Sequence, residues 1–160
     1  MNSANKLLAA IDAIDTHSIS ATAPRRVTID SPLGEWEAVV EQSDPLACSF
    51  QLLAVACPKL KQRSTDQLKT LSETIAEKMQ YLLEPIRLIE CEEDAMQIRS
   101  DPPSTEADQS RRYYELLVKR RGLSLRRFEA VTGQRRRPVS MAFTREQLRR
   151  ICNDFEDAIL

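Results

Sequence analysis

RRYYELLVKRRGLSLRRFEAVTGQRRRPVSMAFTREQLRRICNDFEDAIL, residues 111–160, carries the pattern that sets the fold. In its first ten residues Tyr114, Leu116 and Val118 recur at every second position, the mark of a half-buried strand. Gly122 interrupts the run. Leu123 and Leu125, then Phe128 and Ala130, alternate on a changed parity, which reads as a β-bulge. After the loop TGQRRRP, Val139, Met141 and Phe143 share one face of a further strand. Thr144 stands three residues before Gln147, the spacing of a capping box, and opens a helix. Leu148, Ile151, Cys152, Phe155 and Ile159 form its buried stripe.

Residues 86–100 read as a hairpin, in which Arg87, Ile89 and Cys91 alternate, EED turns, and Met96 and Ile98 return. A polar stretch with two prolines, residues 100–110, follows as a loop. Before the hairpin, Ser64 and Gln67 make a second capping box, and Leu68, Leu71, Ile75, Met79 and Leu82 continue one helical stripe until Pro85 stops it. Three strand-like runs come earlier. Val27 and Ile29 lead to the turn SPLG; Trp36, Ala38 and Val40 oppose Glu35, Glu37 and Glu41; QSDP turns again. In residues 46–56, Cys48, Phe50, Leu52, Ala54 and Ala56 lie in phase. Together the three predict an antiparallel meander. Residues 4–15 predict a short helix with Leu7, Leu8, Ile11 and Ile14 on one face, joined by a Ser/Thr/Ala-rich linker.

Strands grouped between helices define an α+β fold. The expectation is one antiparallel sheet of up to eight strands, or two smaller sheets, packed by two long helices, with a short N-terminal helix. Residues 1–26 then form that helix and its linker, and residues 27–160 a single α+β domain.

The 160 residues suffice to bury roughly 70% of the unfolded surface. The net charge of −1 conceals a segregation: residues 111–150 hold thirteen Lys or Arg against three Glu, and residues 1–110 ten basic against eighteen acidic groups. No run approaches a membrane span, and Asp12 and Asp15 interrupt the apolar N-terminus, so neither a membrane segment nor a signal peptide is expected. A cytoplasmic chain with reduced thiols follows. Cys48, Cys57, Cys91 and Cys152 have no zinc spacing and read as buried small hydrophobes; the one histidine is His17.

Catalytic motifs are absent: there is no G-x-S-x-G, H-E-x-x-H, P-loop or dinucleotide fingerprint. No enzyme, cofactor or metal is expected. Glu90, Glu92, Glu93 and Asp94 read as a solvated turn, against a divalent-cation site. Arg120, Arg121, Arg126, Arg135, Arg136 and Arg137 form the stronger signal, as candidate polyanion contacts beside the rings of Tyr113 and Tyr114. Against that, neighbouring strand residues point to opposite faces, which separates Arg126 from Arg127. Charged strand edges also serve to prevent edge pairing. One of the two tyrosines is expected buried and the other at the surface. Trp36 and Tyr113 are candidate interface residues, Trp36 equally a core anchor.

The order helix, three strands, helix, strands, helix resembles that of the small secretion chaperones, which bind unfolded effector segments as dimers. The resemblance covers most of the chain and rests on no shared motif, so no functional residue is carried over. The functional expectation is a non-enzymatic binding or adaptor protein, chaperone-like, with a protein partner or a second copy as a homodimer. The alternative is an RNA-, DNA- or polyanion-binding module using the Arg-rich region.

Overall fold

The computed structural model describes residues 2–14, 23–82, 84–100 and 110–160. The expected 16–26 linker falls largely outside them, as do His17 and most of the polar loop (101–109). Three helices, α1 (Ser3–Asp12), α2 (Thr65–Lys78) and α3 (Arg145–Ile159), form one layer, with α3 touching both others. They cover one face of a nine-stranded antiparallel sheet. Its strands are β1 (Arg25–Asp30), β2 (Glu35–Ser43), β3 (Ala47–Ala56), β4 (Ile86–Cys91), β5 (Ala95–Ser100), β6 (Ser110–Lys119), β7 (Gly122–Val131), β8 (Arg137–Val139) and β9 (Met141–Thr144). The spatial order is β1-β2-β3-β7-β6-β5-β4, with β8 on β7 and β9 on β3. The class is α+β as expected. The helices of 14 and 15 residues are ordinary in length, and the sheet has one strand more than the upper expectation.

The extra strand arises because VSMAF is not one strand. Residues 137–139 pair with β7, and beyond Ser140 residues 141–144 pair with β3. Strand β3 therefore divides its edge, giving residues 53–56 to β7 and 47–50 to β9. At the division Gln51 bulges from β3 and Glu41 from β2, as the register Val39↔Leu52, Val40↔Phe50, Gln42↔Ser49 requires. The bulge reverses parity: Cys48 and Phe50 face the helices, and so do Leu53 and Val55, in place of the expected Leu52, Ala54 and Ala56.

Between β6 and β7 the opposite correction holds. Their register runs unbroken from Ser110↔Val131 to Lys119↔Gly122, so no bulge lies there. Leu123 and Leu125 are buried under the helices, whereas Phe128 is buried on the other face against Tyr113, with ring centroids 6.1 Å apart. The changed parity marks a strand covered on both faces at one end.

Both capping boxes form: Ser64 with Gln67, and Thr144 with Gln147. Helix α2 ends at Lys78, earlier than Pro85 implies, and its stripe continues to buried Leu82 through a 3₁₀ turn, Gln80–Leu82. In β4 the alternation is reversed, with Ile86 buried and Ile89 43% exposed. Cys91 is exposed, correcting the expectation of four buried thiols; Cys48, Cys57 and Cys152 are buried. Burial pushes the Cys152 thiol up. Leu7, Leu8 and Ile11 of α1 belong to the same core as α3. At the centre Trp36 stacks on Phe155 with centroids 5.9 Å apart, both fully buried. No described helix is long and apolar enough to cross a membrane.

Phe155→Ala removes the ring under Trp36, and urea unfolding followed by tryptophan fluorescence is expected to show a loss of about 3–5 kcal/mol. A thiol reagent is expected to label one cysteine quickly in the folded chain, Cys91, and all four after denaturation; quantifying labelled thiols by mass checks both counts.

Candidate functional site

The register of β6 and β7 sets Glu115 opposite Arg126 and Tyr113 opposite Phe128, on the face turned away from the helices. Glu115 is only 4% exposed, and a buried carboxylate needs partners. Gln97 Nε2 from β5 and Arg136 Nη1 from the loop before β8 each donate to its Oε2 at 2.6 Å. Arg99 Nη2 lies 3.6 Å away. Arg136 Nη1 also donates to Tyr113 Oη at 3.2 Å, and its guanidinium sits 3.9 Å from the Phe128 ring centroid. The Arg99 guanidinium covers the Tyr113 ring at 4.7 Å. Burial pulls the Glu115 pKa upward, but the hydrogen bonds from Arg136 and Gln97 and the charges of Arg136 and Arg99 outweigh it, leaving the carboxyl below 4.5.

On the helix-side face the same strands build a second cluster. Arg127 lies over the Tyr114 ring at 4.6 Å, donates to Tyr114 Oη at 2.9 Å and reaches Glu84 Oε1 at 3.3 Å. Ser100 Oγ donates to Glu84 Oε2 at 2.7 Å and accepts from the Tyr114 amide at 2.8 Å. Glu129 is flanked in register by Arg112 of β6 and Arg137 of β8. Arg112 Nε donates to it at 2.7 Å and Arg137 Nη2 at 2.5 Å. These two arginines hold the Glu129 carboxyl below its ordinary value.

The six candidate polyanion arginines are thus dispersed. Arg120 at the β6–β7 turn bonds Asp94 and the carbonyls of Arg63 and Glu93, so part of the acidic turn faces a basic one. Arg136 and Arg137 are taken up by Glu115 and Glu129. Arg121, Arg126 and Arg135 have no side-chain hydrogen bond or ion pair among the described residues. Arg121 and Arg135 are exposed, and Arg126 is half-buried beside Glu115. Both tyrosines are buried, at 6% and 5% exposure, because each lies beneath an arginine on its own face; the expected surface ring does not occur. Trp36, the other candidate interface residue, is in the core. Among the described residues no group of His, Cys, Asp and Glu is arranged to hold a metal ion.

Next to the Glu115 cluster, the outer face carries a trough of about 250 Å³. Ala54, Ala56, Gly122 and Ser124 line it beside Leu117, with Glu35 and Glu37 towards β2 and Lys119 and Arg121 towards the β6–β7 turn. Gly122 has φ +152°, and a Cβ there would fall 2.0 Å from the Val55 carbonyl oxygen, so β3 and β7 approach this closely only with glycine.

Compared with known proteins, the chain matches no family model, no curated protein and no solved structure.

Gln97, Arg99, Glu115 and Glu129 do not stand out in the sequence. The one available signal is Glu115 itself, an acid within the apolar run YYELLV, where a half-buried strand tolerates a carboxylate only if partners reach it.

Two measurements check the cluster. Arg136→Ala leaves buried Glu115 with Gln97 and Arg99 alone and is expected to cost about 1–3 kcal/mol in urea unfolding. Glu115 and Glu129 titrate below 4.5 when folded, so their contribution is full above that value and is lost as pH falls through their folded values. The urea midpoint is therefore expected to drop below about pH 4.5, less steeply in Glu115→Gln/Glu129→Gln.

Proposed function

We propose that the chain is a non-enzymatic, chaperone-like adaptor that takes up an extended segment of a protein partner on the outer face of its sheet. The observation that carries this reading is the face itself. Among the described residues no helix covers it, and it offers a shallow trough over small side chains with acidic residues on one side and basic ones on the other. Shallow, charge-flanked and floored by alanine, glycine and serine, the trough suits the width of an extended backbone better than a compact metabolite. The element order, which resembles that of the small secretion chaperones, points the same way.

A second copy is the other partner this reading admits. Among the described residues strand β4 pairs with β5 alone and presents Ile89 at 43% exposure, an edge that a homodimer would cover. A cytoplasmic setting goes with the free cysteines, one of them exposed. The alternative, nucleic-acid or polyanion binding, draws its support from Arg121, Arg126 and Arg135, which have no partner among the described residues. Against it, the other three candidate arginines are bonded within the chain.

Selection of extended peptides from a random library, followed by titration against Ser124→Arg, tests the reading. Ser124→Arg fills the trough floor, and is expected to reduce peptide affinity at least tenfold, about 1.4 kcal/mol, without lowering the unfolding midpoint. Equal affinity of the two chains removes the outer face from the reading. Saturable binding of a mixed single-stranded oligonucleotide, with a salt slope near 0.7 per contact, puts the polyanion reading in its place.

A further inference from the structure

The bonds of Arg136 describe a receptor as well as a brace. Its guanidinium has an aromatic face beneath it at 3.9 Å, a phenol oxygen at 3.2 Å and both oxygens of a carboxylate, at 2.6 and 3.4 Å. The carboxylate is 4% exposed and already oriented by Gln97. A flat ring, a fixed carboxylate and a further acceptor at the rim are the elements that distinguish a guanidinium from an ammonium.

The group filling this receptor is held from an exposed segment. Residues 132–138 are all exposed, and the Arg136 side chain itself is 41% exposed above the buried acid. Gly133 pivots the segment at φ +78°, with nothing within 4 Å of where its Cβ would stand. Its hold on the sheet comes from Arg136 on one face, from Arg137 with Glu129 on the other, from the Gln134 amide donating to the Val131 carbonyl at 3.0 Å, and from the pairing of the short strand β8 with β7.

We propose that the Glu115–Tyr113–Phe128 pocket is an arginine receptor for an extended segment of a protein partner, and that Arg136 occupies it in cis as a displaceable stand-in. Replacing Arg136 by an arginine from another chain keeps the charge around Glu115 unchanged, so exchange carries no net cost of burying a new ion. The trough adjoins the pocket: Leu117 stands two residues from Glu115 on β6, and Ser124 two from Arg126 on β7. That spacing, roughly 7 Å per pair of strand residues, lets a segment lying in the trough carry its arginine to Glu115 within a few residues. The inference rests on the reading of the outer face as a protein-binding face, and adds to it the chemistry of one anchoring side chain.

The probe is the blocked tripeptide Gly-Arg-Gly, with its lysine and citrulline counterparts, titrated into the full chain. Arg136→Ala is expected to bind the arginine peptide at least tenfold more tightly than the wild type, because the competitor is gone, and at least tenfold more tightly than it binds the lysine or citrulline peptides. Glu115→Gln in the same background is expected to abolish the binding. In the wild type, saturating arginine peptide is expected to speed amide hydrogen exchange at Gln134, whose amide bonds the Val131 carbonyl, and across β8, which needs no variant to fold. Equal affinity of wild type and Arg136→Ala, indifference to arginine over lysine, or unaltered exchange in the wild type each overturns the proposal. Library peptides that still bind Arg136→Ala/Glu115→Gln, without arginine preference, sink the receptor alone; loss of those peptides in Ser124→Arg reports separately on the outer face.

Discussion

A carboxylate withdrawn from water is unfavourable unless it is paired and hydrogen-bonded, and this fold covers Glu115 and Glu129 at one end of its sheet. Their partners come from successive residues. Arg136 reaches one face and Arg137 the other, as strand geometry dictates, so the two arginines clasp β7 from both sides. That clasp fixes β8. From β8 the chain needs only Ser140 to bring β9 to the free part of the β3 edge. Thr144 then caps α3, and α3 lays Phe155 on Trp36. Part of the apolar core is thus set in place from the polar end of the sheet.

The two faces are held by different means. Beneath the helices, close packing of Leu, Ile, Phe and Trp side chains removes apolar area from water. On the outer face, few large apolar groups are available, and guanidinium planes over Tyr113 and Phe128 take their place. An Arg stacked on a ring covers apolar surface with its stem and plane while its nitrogens bond carboxylates, so it shields and pairs at once.

Local patterns were legible in the sequence. Both capping boxes, the stripes of α2 and α3, and the β1–β3 meander need only the spacing of nearby residues. What the sequence hid depends on register between distant segments. Whether Leu52 or Leu53 faces inward depends on a bulge at Gln51 that also involves β2. Phe128 reads as a phase error until Tyr113 is known to lie opposite it. Tyr113 is buried beneath Arg99, a residue of β5, and its hydroxyl is bonded by Arg136 from a loop more than twenty residues later. At the candidate site, the arginines and tyrosines stood out by composition. Glu115, Gln97 and Arg99 come together only through the β5–β6 and β6–β7 pairings, which no short window contains.

The divided edge of β3 bears on how the chain emerges from a ribosome. Residues 47–50 find their β9 partners only at 141–144, more than ninety residues later. The β1–β3 meander is available long before that, with residues 47–50 bare along one edge. Such an edge, carrying Cys48 and Phe50, is a template for pairing with the wrong chain. A chain that folds the meander before residues 141–144 are made carries this open edge until they arrive.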